Sequence, residues 1–258
     1  MRRFVLPGGV SDELVVEEPL IIVAAGEPLV TMRSPGHDEE LVRGFLVSER
    51  ICASPADIIS LRCAERDGVS TLEVELREGL KGARGRLTRV HEIRASCGLC
   101  GVPTVDRLAD DLTPLRPGWP RFEVADLSAG LAGMSVGQEV FQASGGSHAA
   151  ALIRGSELIL MREDVGRHNA VDKVIGAALG ASLPLKEMAL LLSGRSGFEL
   201  VLKALRVGIA CVVSVSAPTS FAVELCEEAG ATLCGFARAG GMKVYSDDGR
   251  LRMGGGAG

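Results

Sequence analysis

Apolar and polar positions follow two rhythms along the chain. In the first part, short extended runs dominate. Glu13 to Glu17, Leu20 to Ala24 and Leu29 to Arg33 read as strands joined by turns, and Ser34-Pro35-Gly36 is turn chemistry. Asp38-Glu39-Glu40 then opens a helical stretch carrying Leu41, Phe45 and Leu46 to about Ile51, with its acidic first turn suited to the helix dipole. Ile58 to Cys63 and Ser70 to Leu76 alternate apolar and polar residues and predict two more strands.

From about Leu127 the rhythm changes to alternating helices and strands. Helices are predicted over Leu127 to Phe141, Arg167 to Leu179, Gly197 to Val207 and Ser220 to Ala229. A hairpin turning at Gly155-Ser156 joins Ala149–Ile153 to Leu158–Arg162. Further strands are expected at Met188–Leu192, Ile209–Ser214, Thr232–Ala237 and Met242–Tyr245, and the tail Gly254 to Gly258 is expected to be disordered. Such alternation predicts an α/β unit with a mainly parallel sheet covered on both faces. The expected organisation is a small α+β domain over 1–95, a loop and Pro-rich linker over 96–122, and the α/β domain over 123–258.

Composition narrows the class. The 258 residues are 47% hydrophobic but only 3% aromatic, so the core must be built from Leu, Val, Ala and Ile. A net charge of -5 argues against a nucleic-acid binder. No apolar run reaches the ~18 residues of a spanning helix, and Met1-Arg2-Arg3-Phe4 leads into a polar stretch rather than a signal-peptide core. Seven scattered cysteines fit a reducing cytoplasm better than a disulfide framework. Cys52, Cys63, Cys211, Cys226 and Cys234 read as small buried hydrophobes.

The strongest local chemistry is Ser96-Cys97-Gly98-Leu99-Cys100-Gly101. Two thiols so spaced can form a reversible disulfide, supply half of a metal site, or carry sulfur as a persulfide. Zinc lacks a second cysteine pair, and the deaminase signature is missing: His91 runs directly into Glu92, and Ser96 stands in place of the proline. A thioredoxin-like pair would open a helix, whereas Gly98, Gly101 and Pro103 make a loop. Lys81, Arg84, Arg86, Arg89 and Arg94 lie just upstream. They either lower the thiol pKa or simply face water.

Four loops rich in Gly and small polar residues form the second candidate site. They are Ser144-Gly145-Gly146-Ser147-His148, Glu163 to Asn169 (with Arg167 and His168), Ser193-Gly194-Arg195-Ser196-Gly197, and Ser216 to Ser220. The last three join a strand to a helix and should gather on one sheet edge, with N–H groups turned to an anion. Arg167 and Arg195 would add charge, and Lys203 less directly. The plainer alternatives are that Asn169 or Ser196 caps a helix, that Asp172 pairs with His168 one turn away, and that His148 and His168 are structural.

Taken together, Ser34 to Leu41, Gly44-Phe45-Leu46, the cysteine loop, Glu163 to Lys173, Ser193 to Lys203 and Ser216 to Glu224 resemble the formate dehydrogenase accessory sulfurtransferases, the FdhD/NarQ family, over most of the chain. The resemblance implies a cytidine-deaminase-like three-layer α/β/α main domain without its zinc site, and a homodimer. It implies sulfur accepted from a cysteine desulfurase as a persulfide on Cys97, with Cys100 assisting. The acceptor would be the metal of a bis-molybdopterin guanine dinucleotide cofactor used by a formate dehydrogenase. Cofactor contacts would map to Phe236, Ala237, Arg238, Ala239, Gly240 and Gly241. Two departures stand out. Arg50 follows Glu49 where a glycine is more usual, and Arg238 is the only cation in the final segment. A thiol-disulfide protein and a non-enzymatic cofactor chaperone are the competing readings.

Overall fold

The computed structural model describes residues 1–80, 85, 112, 114–238 and 240–252. The chain begins with a hairpin of β1 (Arg2–Val5) and β2 (Ser11–Leu14), every residue of which is exposed. The sequence pattern missed β1 and placed the second strand at Glu13–Glu17. Val15 instead leaves the hairpin to pack on the backbone at Gly146.

The first unit follows. β3 (Glu18–Ala24), β4 (Glu27–Arg33), β5 (Ile58–Arg66) and β6 (Val69–Leu76) form a sheet in the order β4-β3-β6-β5. Only β3 and β6 run parallel. Leu20, Ile22, Leu29 and Leu72 face α1 (Asp38–Ser48), which buries Leu41, Phe45 and Leu46 against them. Cys63 corrects the reading made from the sequence: it is exposed, because β5 is the outer strand and one of its faces meets water. Arg50 has φ 57°, the left-handed conformation that favours glycine, just past the end of α1.

The second unit comprises β7 (Phe122–Glu123), α2 (Val124–Gly137), α3 (Glu139–Ser144), β8 (His148–Arg154), β9 (Glu157–Asp164), α4 (Arg167–Gly180), β10 (Ala189–Leu192), α5 (Phe198–Arg206), β11 (Cys211–Ser214), α6 (Ser220–Ala229), β12 (Thr232–Arg238), β13 (Gly241–Ser246) and β14 (Leu251–Arg252). Its six-stranded sheet has the order β13-β12-β11-β10-β8-β9. Ala150, Leu152, Leu190, Leu192 and Val212 face α4, α5 and α6, while Ala151, Ile153, Leu191 and Val213 face α2. Both faces are covered, which is why these strands read as unbroken apolar runs.

Two expectations need correction here. The sheet is mixed rather than mainly parallel: β10, β11 and β12 are parallel, and β8, β9 and β13 are antiparallel to their neighbours. Gly155-Ser156 and the turn before Gly241 are too short for the crossover that a parallel partner requires. The helix expected over Leu127 to Phe141 is two helices, broken at Gln138. The Gln142 amide donates to the Ser135 and Val136 carbonyls at the end of α2. The Glu163 carboxylate accepts from Val140 N and Phe141 N at the start of α3.

The two units share a tight seam in which α1 crosses α4 at two glycines. A Cβ on Gly44 would lie 1.8 Å from the Asp172 carbonyl oxygen, and one on Gly176 would lie 1.7 Å from that of Glu40. Buried ion pairs flank the crossing. Lys203 Nζ lies 2.9 Å from Asp172 and 2.6 Å from Glu49, and it donates to Ser48 Oγ at 3.0 Å. Lys173 Nζ lies 2.7 Å from Asp164 and donates to the Ser34 carbonyl at 2.9 Å. Arg162 makes a two-pronged pair with Glu40 at 2.6 and 2.8 Å. Burial pushes the Glu40 carboxyl up, but the Arg162 hydrogen bond and charge, with His37, leave it below its ordinary value.

Candidate functional site

Strand direction and register bring the loops predicted from the sequence to one edge of the six-stranded sheet. β10 and β11 end there at Leu192 and Ser214. β8 starts there, with His148 opposite Asp164 at the end of β9. β12 ends there at Arg238, and the first turns of α4, α5 and α6 all open onto that edge.

Small polar residues fix the loops to the sheet. Ser193 Oγ accepts from Ala149 N at 2.8 Å. Ser196 Oγ is fully buried against Ser214 Oγ at 3.1 Å, and its backbone bridges to Pro218. The Gly194 backbone passes the His148 ring so closely that a Cβ would lie 3.4 Å from Nδ1. Gly145, at φ 65°, caps α3, and Gly146 admits the Val15 side chain.

The charged groups divide between those facing outward and those below. Arg167 and Arg195 are exposed, and His148 and His168 are partly buried. Burial, aided by the charges of Arg167 and His168, pushes the His148 imidazole below its ordinary pKa. His168 pairs with Glu199 of α5, Nε2 to Oε2 at 2.6 Å, and not with Asp172. That hydrogen bond, with the His168 charge, holds the Glu199 carboxyl below its ordinary value against the opposing effect of burial.

Three residues expected near the site lie beneath it. Asn169 caps nothing: its amide nitrogen donates to the Met32 carbonyl at 2.7 Å and to Asp164 at 3.0 Å. Asp164 is completely buried and also accepts from Ser34 N and Gly166 N. Lys203, expected to add charge to the pocket, is spent on Asp172 and Glu49 in the seam. Asp164 and Asn169 support the Arg167–His168 turn from below.

At the end of β12 the ladder with β13 is irregular between Gly235 and Arg238. The bulge turns Phe236 outward at φ 50°, a conformation uncommon for an aromatic residue, and leaves its side chain 42% exposed. Lys243 Nζ sits 4.9 Å from its ring centre, a second cation that the pattern of the final segment did not reveal. Arg238 is tied to the Val215 and Ala237 carbonyls, Ala237 is buried, Gly240 lies in the following turn, and Gly241 opens β13 opposite Arg238. Ala239 lies outside the described residues.

So do Cys97, Cys100 and the upstream cations Lys81, Arg84, Arg86, Arg89 and Arg94. Of the other cysteines, Cys211, Cys226 and Cys234 are buried in the core. Burial drives the Cys226 and Cys234 thiols up to about 12 and also pushes Cys211 well above its ordinary value, so all three stay protonated and unreactive near neutrality. A separate groove of about 480 Å³, lined by Arg116, Trp119 and Arg121, lies near Gly230 before the start of β12, away from the loop edge.

Three helix N-termini, two exposed guanidiniums, two imidazoles and an outward-facing aromatic ring thus gather on one edge. Such a cradle suits a phosphate-bearing ligand with a planar group. Comparison with known proteins bears on whose cradle it is. The sequence model of the FdhD/NarQ family matches residues 15–252. The chain belongs to this family. Among curated members of FdhD/NarQ, the sulfur carrier protein FdhD of Nocardia farcinica is 47% identical over 94% of this chain and 89% of its own length. That of Anaeromyxobacter dehalogenans is 42% identical over 95% and 91%. A crystal structure described as a formate dehydrogenase accessory protein, from Desulfotalea psychrophila, superposes with a TM-score of 0.74 over 97% of both chains at 22% identity, which supports the mixed α/β fold.

Proposed function

We propose that the chain is a sulfurtransferase of formate dehydrogenase maturation. The reading is that Cys97 accepts sulfur from a cysteine desulfurase and delivers it to a bis-molybdopterin guanine dinucleotide cofactor at the loop edge. What carries the proposal is the coincidence, in one FdhD/NarQ chain, of the Cys97-Gly98-Leu99-Cys100 pair with an anion cradle built from the Arg167–His168, Ser193–Ser196 and Phe236–Gly241 segments.

The chemistry balances without an outside oxidant. Cys97 thiolate attacks the terminal sulfur of the desulfurase persulfide, the donor S–S bond breaks, and the donor cysteine leaves as thiolate. Cys100 thiolate then attacks the Cys97 sulfur, closing a Cys97–Cys100 disulfide. The terminal sulfur departs as sulfide to the acceptor, and cellular thiols re-reduce the pair. The cofactor is the substrate here, and its nucleotide phosphates would lie against Arg167, Arg195 and the first turns of α4 and α5. His148, Asn169, Gly145 and Gly146 border or support that surface. A homodimer working in the cytoplasm, away from nucleic acid and membrane, completes the reading. Among the described residues no helix is long and apolar enough to cross a membrane.

Intact-mass spectrometry after incubation with a cysteine desulfurase and cysteine tests the proposal. Wild type should gain one sulfur, about 32 Da, removable by reductant, and Cys97→Ala should gain none at that site. A wild type that gains nothing leaves either the thiol-disulfide or the chaperone reading.

A further inference from the structure

The loop-edge site contains a contact that its assumed ligand does not require. His168 opens α4 and Glu199 opens α5. Their side chains meet at 2.6 Å between two separate helix N-termini, where backbone N–H groups would otherwise favour an incoming anion. Glu199 is rigidly based. Its neighbour Phe198 packs on Phe221 of α6 with ring centres 4.3 Å apart, so the first turn of α5 is braced toward α6 as well as toward α4. The nearby carboxylates are otherwise engaged. Glu163 accepts from Val140 N, Phe141 N and Ser147 Oγ, and Asp164 is spent on Lys173, Asn169 and Gly166 N. Glu199 instead holds a half-exposed carboxylate against His168, whose charge and that of Arg167 act on His148, while Glu49 and Lys203 act on Glu199 itself.

A carboxylate in an anion cradle repels the ligand by charge, so its presence calls for a compensating role. Orientation supplies one. With Nε2–H donating to Glu199, the His168 ring is fixed, and in its doubly protonated form Nδ1–H is the donor left to meet a phosphate oxygen. We propose that Glu199 is a positioning residue, acting through His168 to aim that ring at a phosphate group of the bound nucleotide. This rests on the cradle assigned above.

Calorimetric titration of the full chain with GDP tests it, with circular dichroism confirming that each variant is folded. Glu199→Ala should weaken GDP binding roughly 5- to 10-fold, the scale of one ordinary net hydrogen bond lost when the ring is no longer aimed. Glu199→Gln keeps an acceptor oxygen and should stay within about 2-fold of wild type. In a His168→Ala background Glu199→Ala should add almost nothing, because the two residues act as one unit. Unchanged GDP affinity in Glu199→Ala would overturn the proposal. So would an equal loss in Glu199→Gln, which would assign the effect to charge, or an undiminished loss in the His168→Ala background. Wild type that does not bind GDP would sink the cradle itself and this inference with it, whereas wild-type binding indifferent to Glu199 would sink only the inference.

Discussion

Asp164 shows how much a single side chain can organise when it is buried and fully bonded. It has no exposed surface, yet it gathers a lysine, an asparagine amide and two backbone N–H groups from both units. Removing a buried carboxylate leaves its cation desolvated, and that penalty exceeds the net contribution of the pair. Asp164→Ala should therefore cost about 3–5 kcal/mol, read from urea unfolding. Asn169 and Lys173 depend on the same carboxylate, so their own substitutions should not add independently to this loss. The sequence places Asn169 in the candidate site because it closes the polar Glu163–Asn169 loop. The structure shows Asn169 and His168 pointing to different tasks, one inward to Met32 and Asp164 and one outward to Glu199. Neighbours at the start of a helix lie about 100° apart around its axis, so adjacency in sequence does not predict a shared face.

At the scale of elements, the crossing of α1 and α4 is set by Gly44 and Gly176. Neither glycine is needed for its backbone conformation. Each is needed because the facing helix leaves no room for a Cβ. Adding a methyl at either site must push the helices apart and loosen the ion pairs beside the crossing. Gly44→Ala and Gly176→Ala should each destabilise by about 1–3 kcal/mol or more, despite the better helix propensity of alanine. A gain in stability in urea titration would show that the seam yields easily. Helix positions α1, α4, α5 and α6 were legible from period and turn signals, with ends differing by a few residues. The break between α2 and α3 was not, because Glu163, which supports the start of α3, comes from a strand far along the chain. The mixed sheet was readable in principle from the two short turns that forbid crossovers.

For the whole molecule, the seam makes the two units interdependent. Lys203 and Asp172 of the second unit are completed by Ser48 and Glu49 of the first, and Asp164 by Ser34. Separating the units would expose these charges without partners. Unfolding should therefore be a single transition. Hydrogen-exchange mass spectrometry in rising urea should show β3 and β6 losing protection together with β10 and β11. Protection lost first from β3 and β6 would mean that the first unit opens independently. The same seam ties the loop edge to the first unit: the turn carrying Arg167 and His168 rests on Asp164 and, through it, on Ser34.

By itself the sequence determined where most elements lie and which residue types are capable of chemistry. Paired thiols, small-residue loops and apolar periods are local properties, written in the order of the chain. Tertiary structure decided which of these residues face outward at the loop edge and which are consumed in holding the fold. It sent Lys203 and Asn169 inward, turned Phe236 outward at a bulge with Lys243 beside it, and gave His168 the unforeseen partner Glu199. Those outcomes depend on which strands and helices become neighbours and on the need to satisfy every buried charge, and no local pattern records either.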